Sequence, residues 1–264
     1  MGLGGRENVR YNANGALQVA DLGQGRSMEH SLTAEEQTRL RRWGRQLLTN
    51  DLIFDFGAWL YARMTTNPIW LANSARLLDG VPPSATPLTV LDLGGGPATS
   101  ALAMGEQRPD ARLICFDLAP QMLALALRNR QAAGWSPTRL ALVRGNALSL
   151  PLAAESLDVV TGHSFLYLVG DAPQVLREVQ RVLRPGGQIA FLEPHAGEPD
   201  WEWLGRQPSW GLQLSLSLWR IYSWVHRRFS ADELTALLTE AGFQAVTTEV
   251  TLGGFGLIGR GRKG

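Results

Sequence analysis

Apolar and polar positions change period along the chain, and the changes divide it into elements. Val90, Leu91 and Leu93 form the short apolar run expected of a strand covered on both faces. Residues 98–107 follow as a helix. Residues 111–117, 139–143, 157–161 and 188–192 read as further strands. Between them, Pro120 opens a helix running through Arg130. Val175, Leu176, Val179, Val182 and Leu183 give residues 172–183 helical spacing, and Arg184-Pro185-Gly186-Gly187 stops that helix. Ser230 with Glu233 makes a capping box for a helix ending at Gly242, and residues 243–251 and 255–259 read as two last strands. Strands alternating with helices predict an α/β fold with a mostly parallel sheet and helices on both faces.

The flanks have a different pattern. Residues 1–30 carry little periodicity and are expected to be a mobile tail, with the patch at residues 17–22 packing somewhere. Thr33 with Glu36 fits an N-cap box for a helix bearing Leu40, Trp43, Leu47 and Leu48, ringed by Arg39, Arg41, Arg42 and Arg45. That basic helix is either docked with a solvated face or in contact with a membrane surface or an anionic substrate. Residues 51–61 form another apolar helix, and Asn67-Pro68 opens a third through Leu78. Gly80, Pro82, Pro83 and Pro87 mark a linker, so residues 31–87 read as a helical lid ahead of a main domain at 88–264. Within that domain, residues 200–228 form an insertion holding Trp201, Trp203, Trp210, Trp219 and Trp224. Its leucines alternate, but Trp210, Leu214, Leu218, Ile221 and Val225 keep helical spacing, and Arg227 and Arg228 suit a helix end, so a helix is expected. The aromatics there make either a cap's own core or an apolar wall over a cleft.

Composition narrows the function. The chain has 264 residues, 45% hydrophobic and 19% charged, enough to bury a large core. A net charge of +1 gives no global draw for nucleic acid. The single cysteine, Cys115, excludes an internal disulfide framework and cysteine-cluster zinc sites, so a reducing, cytoplasmic setting is expected and no metal is. The first thirty residues do not read as a signal peptide, and no stretch approaches the roughly 18 uninterrupted apolar residues of a membrane span.

Candidate chemistry gathers at the end of the first core strand, VLDLGGGPATS. Gly94, Gly95 and Gly96 let a ligand approach the backbone, and the following helix offers free N–H groups. Asp92 lies inside the strand end and needs a partner. As a G-x-G-x-x-G turn the stretch fails at Thr99, where a nicotinamide fingerprint wants Gly or Ala. The arrangement of Asp92, Gly94 and Gly96 instead resembles motif I of class I S-adenosylmethionine-dependent methyltransferases, with Ala98 where that family often has another glycine. Asp117 stands 21 positions after Gly96 at the next strand end, where a carboxylate suits a ribose diol. Met122 either packs near an adenine or belongs to the core.

Downstream, Asn146-Ala147, Leu150-Pro151 and Ser156 to Val160 resemble the family's next signature. The run VLREVQRVLRPGGQIAFLEP resembles the small-molecule branch that includes ubiquinone and menaquinone C-methyltransferases. The resemblance covers about two-thirds of the chain and implies a Rossmann-like sheet of seven strands, the last two forming an antiparallel hairpin. It also implies S-adenosylmethionine as cofactor, held by Asp92, Gly94, Gly96, Asp117, Met122, Asn146 and Ala147. In that family the residue at Asn146 meets the adenine amino group, and the backbone N–H of Ala147 meets a ring nitrogen. The sulfonium donor is already activated, so alignment and exclusion of water carry most of the work. An acceptor carbon or weakly acidic hydroxyl would still need its proton removed. His163, at a strand end with a side chain suited to neutral pH, is the first candidate base or else a structural histidine. His195 and Glu193 are weaker candidates, and Tyr61, Tyr167 and Tyr222 could orient an acceptor. The tryptophans of the insertion, with Trp59 and Trp70, point to a lipophilic or aromatic small-molecule acceptor. No nucleic-acid partner is expected; peripheral membrane contact and a homodimer stay open. A nicotinamide-dependent oxidoreductase and a non-catalytic binding protein on the same fold are the competing readings.

Overall fold

The structure, a computed structural model, describes residues 9–11, 17–19, 33, 38–39, 66–83 and 86–264. The helix expected after Thr33 is described only at residues 38–39, which are helical; the rest of it, the helix over residues 51–61, Trp59, Tyr61 and three of the four basic positions at 39–45 lie outside the described residues, as does most of the tail. The chain divides into two compact units, Met1–Leu48 and Thr49–Gly264. In the first, where the sequence shows little periodicity, β1 (Val9–Tyr11) pairs antiparallel with β2 (Leu17–Val19).

The second unit holds a seven-stranded sheet. Its strands are β3 (Leu88–Leu93), β4 (Ala111–Asp117), β5 (Leu140–Arg144), β6 (Leu157–His163), β7 (Leu183–Pro194), β8 (Phe243–Thr251) and β9 (Gly256–Lys263). Their order is β5-β4-β3-β6-β7-β9-β8. The pairs among β3 to β7 are parallel, and β9 runs antiparallel to both β7 and β8. This is the seven-stranded, Rossmann-like arrangement with a closing hairpin. The order reverses beside β3, between β4 and β6, which is where open α/β sheets place ligands.

Alternation along each strand sends side chains to two cores. Val90, Leu113, Cys115, Val159, Ala190 and Leu192 share one cluster with residues of α1 (Pro68–Ala75), α2 (Thr99–Gln107), α3 (Pro120–Ala132) and α6 (Trp210–Val225). Leu91, Leu93, Phe116, Val160, Ile189 and Phe191 share the other with α4 (Ala172–Val182) and α7 (Ala231–Glu240). In α4 the buried Val175, Leu176, Val179 and Val182 repeat the spacing read from sequence. The expected capping box of α7 is present in both directions, Ser230 Oγ accepting from Glu233 N and Glu233 Oε2 from Ser230 N.

Residues 200–228 form two helices, α5 (Trp201–Gly205) and α6. Leu212 and Leu216 are buried while Leu214 is exposed, so the leucine alternation follows a helix and not a strand. The caps of α1 and α6 hold each other, Asn67 Nδ2 donating to Ser209 Oγ at 3.0 Å. The expected helical insertion is thereby tied to the part of the expected lid that is described.

Three boundaries differ most from the sequence reading: β9 runs on to Lys263 beyond the expected 255–259, and the other two concern β6 and β7. Strand β6 continues to His163, so this residue is the last of the strand and not part of the loop after it. Strand β7 begins at Leu183 and not at Gln188. Gly186, at φ +76°, lets the exposed Arg184–Gly186 stretch bulge out of register while the strand rejoins β6 beyond it.

Candidate functional site

The carboxyl end of β3 turns into α2 through backbone conformations that few residues adopt. Gly94 and Gly96 have φ of +62° and +52°. Gly95 is required for a different reason: a Cβ there would lie 2.7 Å from Cys115 Sγ and 3.1 Å from Asp92 Oδ2. The Phe165 ring lies against Gly94, where any side chain would meet it. Ala98 is in the left-handed region at φ +62° and gives α2 no side-chain cap.

Asp117, at the end of β4, organises this turn. Its Oδ2 accepts from Gly96 N at 2.9 Å and its Oδ1 from Ala119 N at 2.8 Å. Each oxygen keeps a lone pair, enough for one hydroxyl each of a vicinal diol. Burial raises the carboxyl above its ordinary value, and the backbone N–H bonds oppose that rise. Asp92 is wholly buried. Thr161 Oγ1 donates to its Oδ1 at 3.0 Å, and Oδ2 has no partner. Burial, with Asp117 nearby, pushes its pKa up to about 7, against the Thr161 bond.

Met122 is half-buried, its sulfur about 3.8 Å from where a Cβ of Gly96 would stand. That puts it on the glycine turn and outside the deep core. Asn146 is exposed, its Oδ1 accepting from Leu148 N at 3.0 Å in a local turn. One lone pair and the amide N–H groups remain for an adenine edge. Ala147 beside it is buried.

His163 ends β6 on the face turned toward α1 and α6. Its side chain is 6% exposed. Its ring lies 5.0 Å from Trp70 of α1, tilted at 42°, and 6.4 Å from Trp219 of α6, and the two indoles meet edge-on at 5.0 Å. Ser100 Oγ of α2 donates to Ser74 Oγ at 3.1 Å and lies 3.1 Å from His163 Nδ1. Having given its only proton to Ser74, Ser100 can only accept from the imidazole. That assigns the proton to Nδ1 and leaves a lone pair on Nε2, which has no partner. The side chain does not suit proton exchange at neutral pH as the sequence reading expects. Burial lowers its pKa to about 4, so the ring is neutral and a weak base.

The weaker candidates are committed elsewhere. Glu193 is buried and accepts from Phe165 N, Leu166 N and Tyr167 N, shaping the loop after β6; burial lifts its pKa to about 7 against those three bonds. His195 Nδ1 bonds to Gly254 O. Tyr167 and Tyr222 pack edge-on and share a ring cluster with His226, and Tyr61 lies outside the described residues. The tryptophans divide: Trp219 is buried in the site, while Trp201 and Trp210 are exposed. A groove of about 510 Å³ between α1, α2 and α3, lined by Leu71, Ala75, Leu102 and Ala132 among others, includes none of Asp92, Asp117 or His163.

Sequence reasoning missed Ser74, Ser100 and Phe165. Ser74 and Ser100 stand 89 and 63 positions from His163 in three different elements, so no local pattern joins them. Phe165 had a signal, since a glycine at the crest of a turn leaves room for a ring.

The turn, Asp117 and the strand ends together fit an S-adenosyl group: a close-approach backbone, a carboxylate with room for a diol and an amide able to meet an adenine edge stand in order at the ends of β3, β4 and β5. A protein-family model described as a methyltransferase domain matches residues 91–191. A ubiquinone/menaquinone C-methyltransferase of Paracoccus denitrificans is 38% identical over 39% of this chain and 41% of its own length. A demethylmenaquinone methyltransferase of Lactiplantibacillus plantarum is 32% identical over 70% of this chain and 77% of its own. Four curated relatives are matched over only 34% to 44% of their length. The crystal structure of a methyltransferase dependent on S-adenosylmethionine from Aquifex aeolicus shares the fold, with a TM-score of 0.58, 15% identity, 77% of this chain covered and 98% of that one. The fold, the motif order and the long match to the demethylmenaquinone enzyme agree: the chain belongs to the class I S-adenosylmethionine-dependent methyltransferases.

Proposed function

We propose that this protein methylates a lipophilic or aromatic small molecule. The observation that carries this reading is the ring cluster of Trp70, Trp219 and His163, set beside the glycine turn through Ser100 in the first turn of α2. Each indole can bury roughly 150–250 Å², which favours an apolar guest.

When bound, S-adenosylmethionine supplies a methyl group activated as a sulfonium. The rest falls to this chain. Asp117 would hold the ribose hydroxyls, Asn146 and the Ala147 N–H the adenine edge, and Met122 would cover it. Gly94, Gly95 and Gly96 keep the backbone clear of side chains, and the rings of α1 and α6 exclude water. Neutral His163 accepts a hydrogen bond; it is too weak a base to store a proton at neutral pH. No nucleic-acid partner is needed at a net charge of +1. The single buried thiol, Cys115, suits a reducing cytoplasm. Among the described residues no helix is long and apolar enough to cross a membrane.

The test is transfer of label from methyl-labelled S-adenosylmethionine to a panel of quinols, phenols and lipids set against polar amines and nucleosides. Label in the lipophilic products is expected. Label only in polar products would overturn the acceptor class, and binding of the donor with no transfer to any class would favour a non-catalytic protein.

A further inference from the structure

The acceptor side holds two buried polar atoms of opposite character with nothing to bond. His163 Nε2 is a hydrogen-bond acceptor, as the Ser74–Ser100 relay requires. Trp219 Nε1 can only donate. Both side chains are 6% exposed, and their rings lie 6.4 Å apart at 72°. An unmet donor or acceptor in such a place carries its full desolvation cost, so two beside each other mark a place where a ligand atom belongs. The neighbouring indole does not supply it, because Trp70 Nε1 is already given to Ser215 Oγ.

We propose that His163 and Trp219 form a subsite for a hydroxyl group of the acceptor, and that the acceptor is therefore a phenol or enol. This rests on the methyl-acceptor reading above and narrows it. One hydroxyl oxygen takes the Trp219 N–H and gives its proton to a hydrogen bond with His163 Nε2. The choice of oxygen over nitrogen follows from lone pairs. A neutral amine that accepts from Trp219 spends its only lone pair and has none left to attack a methyl group. A hydroxyl oxygen has two, so one remains. An ether or quinone oxygen accepts from Trp219 but leaves His163 unpartnered, and an apolar guest satisfies neither. The indoles of Trp70 and Trp219, edge-on to each other, offer aromatic surface that favours a ring bearing that hydroxyl.

The test uses 1-naphthol, 1-methoxynaphthalene and 1-naphthylamine as probes, titrated into the full chain with S-adenosylhomocysteine present. The naphthol should bind about five- to tenfold tighter than the methyl ether, the scale of one or two neutral hydrogen bonds. Trp219→Phe keeps a ring but removes the N–H that both oxygens accept, so it should weaken naphthol and ether alike by about threefold or more and leave the preference for naphthol in place. A measurement on the unaltered protein stands beside the variant. With ¹⁵N-histidine label, assigned through His163→Gln, the His163 Nε2 signal should lie in the unprotonated range and move upfield with naphthol but not with the ether. Equal affinity for naphthol and ether, naphthol and ether affinities unchanged in Trp219→Phe, or a protonated Nε2 would each overturn the subsite. S-adenosylhomocysteine binding is read in the same titrations. Its presence with no naphthol preference sinks this subsite alone, and its absence sinks the methyltransferase reading beneath it.

Discussion

The two sides of the site are built on opposite terms. On the donor side the two side chains that would meet the nucleoside are already bonded to their own backbone, Asp117 to Gly96 and Ala119 and Asn146 to Leu148, and only the deeper Asp92 Oδ2 is unmet. On the acceptor side His163 Nε2 and Trp219 Nε1 are buried without partners, and the rings that cover them come from α1 and α6. The first arrangement is preorganised, so its ligand meets groups that need not move. The second leaves buried polar groups unmet, a cost a fold carries where a ligand answers it. On the proposed function, this difference would put recognition of the shared nucleoside in the sheet and recognition of the particular acceptor in the flanking helices.

The largest effect should come from the donor side. Asp117→Ala removes a carboxylate that holds the turn and would take two ribose hydroxyls, a loss of about 2–4 kcal/mol in S-adenosylhomocysteine affinity by calorimetry. A folded variant with wild-type affinity would show that the turn does not depend on this residue. On the acceptor side, Ser215→Ala orphans the buried Trp70 N–H that ties α1 to α6. Urea unfolding should show a loss of about 1–3 kcal/mol, and α1 and α6 should exchange their amides faster while β3 to β5 stay protected. Uniform loss across the sheet would erase the distinction between the two sides.

Acidity sharpens the same contrast. Asp92 and Glu193 have pKa values raised to about 7, so the folded chain holds protons that the unfolded chain has already released. Their stabilisation is complete below their ordinary values and is lost as pH rises through about 7. His163 is depressed to about 4, so its share is present above its ordinary value and is lost as pH falls through about 4. Between pH 4.5 and 6.5 two carboxyls oppose one imidazole, and stability should fall as pH rises. Urea titrations across this window should show that slope flattened in Glu193→Gln and steepened in His163→Gln. A slope of the opposite sign would mean the carboxyls are ionised in the fold. The smallest effect is expected of Asn146→Ala, whose exposed side chain should contribute about 1 kcal/mol to donor affinity and leave the melting temperature nearly unchanged.

What the sequence showed and what it hid follow the same division. The strands and the glycine turn are local signals, because a strand buried on both faces must be an apolar run and a crest at positive φ favours glycine. Asp117 and Asn146 sit at fixed distances after such strands, so their places could be counted. The end of β6 was set two residues short, because Gly162 and His163 interrupt the apolar run although both continue the ladder with β7. The state of His163 could not be read at all. It depends on Ser100 and Ser74 for its tautomer and on two indoles from α1 and α6 for its burial, and only the folded chain joins them.

The most direct test of the account is a calorimetric titration of S-adenosylhomocysteine and, separately, NAD into the full chain and its Asp117→Ala variant. One molecule of S-adenosylhomocysteine per chain, weakened in the variant, with no heat from NAD, is the expected result. Binding of NAD, or no binding of S-adenosylhomocysteine by a folded chain, would contradict the assignment of the glycine turn and Asp117 to this donor.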